Sequence, residues 1–514
     1  VRNDWQPKLG DKIVRRPRVK AHPLRRVLGI PALFSAGYGN VGSSIYYALG
    51  IIVLVAMGAM PVVLAVAGIL FIFTALTYAE GTAMYPEAGG SASFARHGFN
   101  DSVGFISGWA LMLSYIVTIA ISAFVIPPYL GYFWPPLKES AVIGTTVSMG
   151  IISFVMIINV IGVRETSFIN VTAAVFDLLV QLLIICLGFL VLFNFDFLIN
   201  NIKFYWPSWE NLFLGIALAA IAYTGVETMS QMAEETKRPA KKVPRALVLM
   251  IITVLILFGG VSTVGLSAMT PPELAGSWAT DPVAGIAHAI SMAITPQEMA
   301  ATLSSGTEVV IILTWIFTGL RDLLPVLVAV LAASILFIAT NAGLMGISRL
   351  AFSLGRHQLI PPALARVHQR FKTPYISIII FSAVALVILI PGFFAPRAFL
   401  ELGALYAFGS LLSFALAHAS IMSLRVKSPD LPRPFRLRWN IRFRQRELPV
   451  TAILGLLGTA AVWVVVIFTQ PYSRWVGFGW MAVGLIIYVI FRWRRKIYSN
   501  KLEAAKTGYT ESQR

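Results

Sequence analysis

The sequence predicts an all-α protein embedded in a membrane and crossing it about twelve times. Three observations carry that expectation. Of the 514 residues, 57% are hydrophobic and 12% charged, with a mean hydropathy of +0.77, whereas soluble domains carry roughly a quarter charged residues. Apolar runs long enough to cross a hydrocarbon core of ~30 Å recur along the whole chain. Basic residues gather in alternate connections between those runs. Closed barrels also pair every backbone group in lipid, but the runs here are too long and continuous for barrel strands.

The runs fall at 28–50, 60–80, 103–128, 141–161, 168–193, 210–232, 244–268, 325–347, 375–395, 399–423, 448–470 and 474–492. An even number of spans puts both termini on one side. Of the 41 Lys and Arg, only Lys138, Lys203, Arg321, Arg397 and Arg474 fall on the other side. By the positive-inside rule the termini are expected in the cytoplasm, with the chain a multi-pass protein of the inner or plasma membrane. The net charge of +18 therefore reads as topology determinants touching anionic lipid, with no nucleic acid as partner. The single Cys186 lies inside a span and permits no internal disulfide. The basic first 27 residues lead into a full span rather than a cleavable signal. Residues 1–27 and 496–514 are expected to be cytoplasmic tails.

Span one contains Gly37-Tyr-Gly-Asn-Val-Gly-Ser-Ser44. Its first six residues fit G-x-G-x-x-G, but a dinucleotide turn needs a preceding strand and an acidic residue about 20 positions on. Here the next carboxylate is Glu80, beyond a second apolar run. The glycines instead predict a helix that unwinds in mid-membrane, since each costs about 1 kcal/mol relative to Ala in a helix interior. Close helix packing is the alternative use of such glycines. Span six carries a second interruption, Tyr223-Thr224-Gly225, followed by Glu227. Each interrupted span opens a run of five helices, and Gly-broken segments at matching positions of two halves point to a transporter's binding site. The half-helix N-terminus after the first break would attract an anionic group, and carbonyls at the second would accept from a cation. A zwitterion satisfies both.

Five stretches, in order, carry a family resemblance: the break ending "GSSIY", "YAEGTAMYPEAGGSASFARHGF", "AYTGVETMSQMAEETKRPAKKVPRAL", "NAGLMGISRLAFSLGRHQLIPPALARVHQRFKTPY" and "SLRVKSPDLPRPF". Together they resemble the amino acid–polyamine–organocation (APC) transporter superfamily over most of residues 28–440. The resemblance implies a five-plus-five inverted repeat of the LeuT-like kind, with two further C-terminal helices. On that pattern the first repeat is 28–193 and the second 194–425, with a long outer segment at 269–324. A basic loop and the last two spans follow at 426–495. It also implies secondary active transport of amino acids or related amines by alternating access. By motif, Gly42, Ser43, Ser44 and Ile45 would hold the substrate carboxylate. The carbonyls of Ile221, Ala222 and Thr224 would take the amine, and Tyr223 and Gly225 would shape the break. Position 44 is Ser where the family commonly has Gly, which narrows the room for backbone approach. Ile221 stands where arginine/agmatine exchangers carry Trp, which argues against arginine recognition.

Ionisable groups inside spans are functional candidates. Asp177, in "AAVFDLLVQLLII", is read as a proton-coupling group or a structural hydrogen-bond centre. Some proton-coupled relatives place a Lys in this helix; no Lys or Arg occurs from 165 to 193, so that mechanism does not transfer. Glu227 is read as a gating group or as an acceptor for backbone N–H groups at the second break. Glu80 is expected near the cytoplasmic end of span two as a latch or topology element. Glu234 and Glu235 are expected in a solvated cluster with Lys237, Arg238, Lys241, Lys242 and Arg245. Tyr115 and Tyr406 are candidate gates. Within the outer segment, "PVAGIAHAISMAI" and "VVIILTWIFTGL" are too short to span and are read as interfacial or lid helices. Six scattered histidines and the lack of an H-E-x-x-H motif or Cys/His cluster argue against an enzyme and against a metal or cofactor site. No filter-like stretch suggests a channel. The expectation is an amino acid permease acting as a proton-coupled symporter or an exchanger, with a proton or sodium ion as coupling partner. A symporter of potassium or another inorganic cation, or a polyamine carrier, on the same fold is the alternative. The oligomeric state is not legible.

Overall fold

The computed structural model describes residues 26, 28–162, 167–294, 308–395, 397–443 and 446–511, nearly all of them helical. The first half contains α1 (Ile30–Val41), α2 (Ile45–Ala56), α3 (Met60–Met84), α4 (Ser91–Gly98), α5 (Asp101–Leu130), α6 (Ala141–Ile161) and α7 (Ser167–Val191). After α8 (Phe195–Phe204) come α9 (Trp209–Ala222), α10 (Val226–Gln231), α11 (Pro239–Ala268), α12 (Pro271–Ser277) and α13 (Pro282–Ala293). The chain continues through α14 (Glu308–Arg356), α15 (Tyr375–Leu389), α16 (Ala398–Lys427), a small hairpin, α17 (Val450–Thr469) and α18 (Pro471–Glu511).

Local chemistry sets many of the boundaries. Asn100, Ser140 and Ser208 each accept a backbone N–H from the first turn of α5, α6 and α9, satisfying donors that a helix start leaves free. Gly162 ends α6 at φ 77°, the left-handed stop that glycine adopts at low cost.

Among the described residues, eleven stretches are long and apolar enough to cross a membrane. The first, Ile30–Met84, has 55 residues but turns sharply at Met57, φ 46°. It supplies two of the twelve expected crossings. Burial grades the spans: 94% of the apolar window of α5 is buried, against 22% of that of α18. The interrupted helices and α5 thus form the centre, while α6, α17 and α18 face outward.

Three expectations are corrected. "VVIILTWIFTGL" is no separate lid helix but the start of the 49-residue α14, about 74 Å long at 1.5 Å per residue. Pro325 lies inside it; a proline removes one hydrogen bond without ending a helix held by its neighbours. Residues 496–511, expected as part of a flexible cytoplasmic tail, continue α18 as helix, as the helix formers of "KLEAAK" favour. The basic loop before α17 contains an antiparallel pair, Asn440–Phe443 with Arg446–Pro449, a local exception to the all-α architecture. Most of the expected N-terminal tail, and residues 295–307 of the outer segment, lie outside the described residues.

Candidate functional site

The first interruption differs from the one expected. Span one does not unwind; residues 42–44 tighten into a single 3₁₀ turn, with Gly42 at φ −65°, ψ −35°. The serines explain this. Ser43 Oγ donates to Asn40 O at 3.1 Å, and Ser44 Oγ lies 2.5 Å from Val41 O and 2.9 Å from Ala222 O. These hydroxyls satisfy carbonyls that a full break would release. Gly42 matters for a different reason from the one anticipated: a Cβ there would sit 2.6 Å from the Tyr38 ring, so the glycine lets that ring lie against the helix.

The second interruption is a true break. α9 ends with Tyr223 N–H and Thr224 N–H bonded to the carbonyls three residues back, and Gly225 reverses the chain at φ 124°, ψ −9°. Its N–H donates to Glu227 Oε2 at 3.0 Å, so a buried carboxylate two residues on fixes the reversal. Thr224 Oγ1 approaches Tyr406 OH at 2.6 Å, bringing α16 to the break.

The two interruptions touch. A Cβ on Gly225 would lie 2.5 Å from Val41 Cγ2 and 3.2 Å from Asn40 Cβ. Asn40 Nδ2 donates to Thr228 Oγ1 at 3.2 Å, and Ser44 reaches Ala222 as above. Of the carbonyls expected for an amine, Ala222 O is thus held by Ser44 and Ile221 O by Thr224. The structure brings Ser44 to Ala222, and Val41 and Asn40 to Gly225, in a closed arrangement, whereas the Tyr223 side chain packs on α3 and α11, its OH donating to Leu64 O at 2.9 Å and its ring lying on Phe71 and Phe258. Tyr115 is buried beside Gly346 of α14. Among the described residues the Tyr47 hydroxyl and Asn40 Oδ1 have no protein hydrogen-bond partner, and the hydroxyls of Tyr78 and Tyr115 have only loose approaches to Ser91 and Ser413 and to Thr228. Glu227 lies within electrostatic reach of all three tyrosines and Tyr406. Buried polar groups so weakly partnered are unusual in a folded interior.

Asp177 of α7 brackets the first interruption. Tyr38 OH, before the 3₁₀ turn, donates to Oδ2 at 2.8 Å, and Tyr46 OH, after it, donates to Oδ1 at 2.6 Å. Gln181 Nε2 adds a bond to Oδ2 at 2.8 Å. Tyr38, Tyr46 and Gln181 were missed in the sequence, though two signals existed: Gln181 is four residues from Asp177 on one helix face, and the two tyrosines flank the break.

Ion pairs close the basic face. Glu234 and Glu235 are not a solvated cluster with the following lysines; Arg356 and Arg349 of α14 bind them at 3.1 and 3.2 Å, and Glu234 also accepts Ala88 N–H. Leu28 pairs with the backbone at 235–237, stitching the start of span one to the end of span six. Glu80 is fully buried and receives a two-pronged bond from Arg425, both at 2.7 Å, plus Leu437 N–H at 2.9 Å. Nearby, burial would raise the Glu87 carboxyl, but hydrogen bonds from His97 and Ser93 and the Arg96 charge bring it down to about 2. On the opposite face, Ala279 O would lie 1.7 Å from a Cβ on Gly50, so only glycine lets the outer segment rest on α2. Lys138 anchors that segment through Asp281 at 2.7 Å. Burial pushes the Asp281 carboxyl up to about 6 despite that lysine.

Two interrupted helices meeting inside a multi-pass bundle, closed by side chains on both faces, define a membrane transporter rather than an enzyme. The chain belongs to the amino acid permease family, whose model matches residues 28–491. It is 26% identical to the branched-chain amino acid permease BcaP of Bacillus subtilis (strain 168), covering 91% of this chain and 93% of that one. It is also 26% identical to the BcaP of Lactococcus lactis subsp. cremoris (strain MG1363), over 82% and 85%. The methylthioribose transporter of Bacillus subtilis (strain 168) is 26% identical, over 92% and 94%. This is an APC superfamily permease.

Proposed function

We propose that the chain carries neutral amino acids across the cell membrane by alternating access, with both termini in the cytoplasm. The observation that carries this reading is the contact of the two interruptions at Val41 and Gly225, beside buried polar groups with no hydrogen-bond partner among the described residues. The substrate carboxylate would be held by N–H groups of Gly42–Ile45 and the Ser43 hydroxyl once they leave their present acceptors, Tyr38 O for Gly42 N–H, Gly42 O and Ser43 O for Ile45 N–H, and Asn40 O for the hydroxyl. Its ammonium would displace Ser44 from Ala222 O and Thr224 from Ile221 O. The present geometry is then the closed form. Ile221, Ile45 and Ile51 are buried there and suit an aliphatic side chain, in keeping with the substrates for which the two BcaP relatives are named. Tyr115 and Tyr406 would close over it. Rocking of spans one, two, six and seven against the remaining helices would expose the site to either face in turn.

Proton coupling would run through Asp177. As a carboxylate it accepts from Tyr38, Tyr46 and Gln181. Once protonated it turns one acceptor site into a donor, so a tyrosine must rotate or let go. That loosens one side of the first interruption. Uptake into proteoliposomes, with a panel of competing amino acids, amines, methylthioribose and potassium, tests the reading with and without proton or sodium gradients. Flux blocked by branched-chain amino acids and accelerated by an inward proton gradient is expected. Flux blocked by potassium alone would assign the fold to an inorganic cation symporter.

A further inference from the structure

Gln231, the last residue of α10, is 2% exposed, and neither its Nε2 nor its Oε1 has a protein partner among the described residues. Burying an amide without a hydrogen bond is costly, so an orphan of this kind calls for an explanation. The side chain lines a cavity of about 50 Å³ between α1, α10 and α14, with Ser35, Gly39, Thr228, Met345 and Arg349. Such a space holds a small polar group such as a carboxylate, and a whole amino acid fits only when the helices around it part. The Asn40–Thr228 bond separates it from the two interruptions, and the Arg349–Glu235 pair stands at its other end. The cavity therefore lies on the path between the proposed central site and the basic face.

We propose that this cavity is a second, exit-side substrate site, in which Gln231 and Arg349 receive the carboxylate of the departing amino acid. The proposal rests on the amino acid transport reading above. Gln231 supplies both complements of a zwitterion: its Nε2–H donates to a carboxylate and its Oε1 accepts from an ammonium. Arg349 is 34% exposed and shares its charge with Glu235, leaving donors of its five-donor fork for a second carboxylate. The same guanidinium repels a metal cation, which assigns the cavity to an anionic group. Met232 and Met345 line it as well, and unbranched methionines adapt readily to an incoming group. Opening the Asn40–Thr228 bond would pass substrate from the central site to Gln231.

The test uses the full chain in oriented proteoliposomes, with leucine as probe and exchange measured while leucine is varied on one face at a time. Gln231→Leu removes both polar groups at similar volume. It should raise the half-saturating concentration on the basic face about tenfold, equivalent to about 1.4 kcal/mol, and leave the opposite face within twofold. Gln231→Glu, which repels a carboxylate, should raise it further. Gln231→Met replaces the leucine variant should that fail to fold, with the same expectation. Half-saturation shifting equally on both faces, or on neither, would overturn the proposal. So would loss of the difference between variants when gluconate replaces chloride on the basic face, since that assigns the cavity to an inorganic anion. A wild-type protein that exchanges no amino acid would instead defeat the transport reading itself.

Discussion

Gly225→Ala is the sharpest probe of the contact between the two interruptions. At φ 124° and ψ −9° position 225 lies where L-residues rarely sit, which costs about 1–3 kcal/mol. The added Cβ would also meet Val41 Cγ2 at 2.5 Å, Val41 N at 3.1 Å and Asn40 Cβ at 3.2 Å. Backbone atoms cannot step aside as a side-chain tip can, so overpacking adds about 1–3 kcal/mol. Together these give about 2–6 kcal/mol. Because α9 and α10 are separately anchored in the bundle, the cost falls on the geometry between them. Transport should drop by at least tenfold while membrane insertion and yield stay near wild type. Gly259→Ala is the control: nothing lies within 4 Å of its added Cβ, so it should be neutral or stabilising by up to about 1 kcal/mol. Leucine uptake and thermal unfolding of the purified protein, measured on both variants, give the comparison. Gly225→Ala turning over within twofold of wild type would show that the reversal at 225 is not required.

The remaining predictions concern the charged and polar ties. Asp177→Asn should abolish acceleration of uptake by an inward proton gradient while preserving basal exchange; an unchanged pH dependence would leave Asp177 structural. Ser44→Gly frees the Ala222 carbonyl, removing a bond worth about 1 kcal/mol in the closed form, and should lower KM up to about fivefold in uptake assays. Arg425→Leu strands the buried Glu80, at a cost near the lower end of ~3–5 kcal/mol because Arg433 remains 3.6 Å away; the double replacement Glu80→Leu/Arg425→Leu should recover most of the lost thermal stability. Asp281 titrates at about 6 in the fold against an ordinary 3.8. The folded form therefore binds the extra proton, and stability falls as pH rises from about 4 to about 6, a component that Asp281→Asn should remove from thermal melts.

Much of the fold was legible because spans are local features. Hydropathy, basic connections and breaker residues repeat within windows of about 20 residues, and the eleven apolar stretches among the described residues fall where those windows place them. Both interruptions were visible as Gly-rich stretches. Their conformations were not: Ser43 and Ser44 returning to Asn40 and Val41 hold the first one helical, while Glu227 capturing Gly225 N–H keeps the second one open.

What the sequence by itself determined is a helical transporter's span pattern, its orientation signal and the two places where the regular helix is interrupted. Only the tertiary structure decided the partners. Asp177 finds tyrosines 139 and 131 positions away, Glu80 finds Arg425 at a separation of 345, and the Gln231 amide finds no partner among the described residues beside a cavity. The physical reason is range. Helix formation and membrane insertion depend on neighbouring residues, whereas a buried polar group's partner depends on which helix faces pack together, and one chain's residue order does not state that.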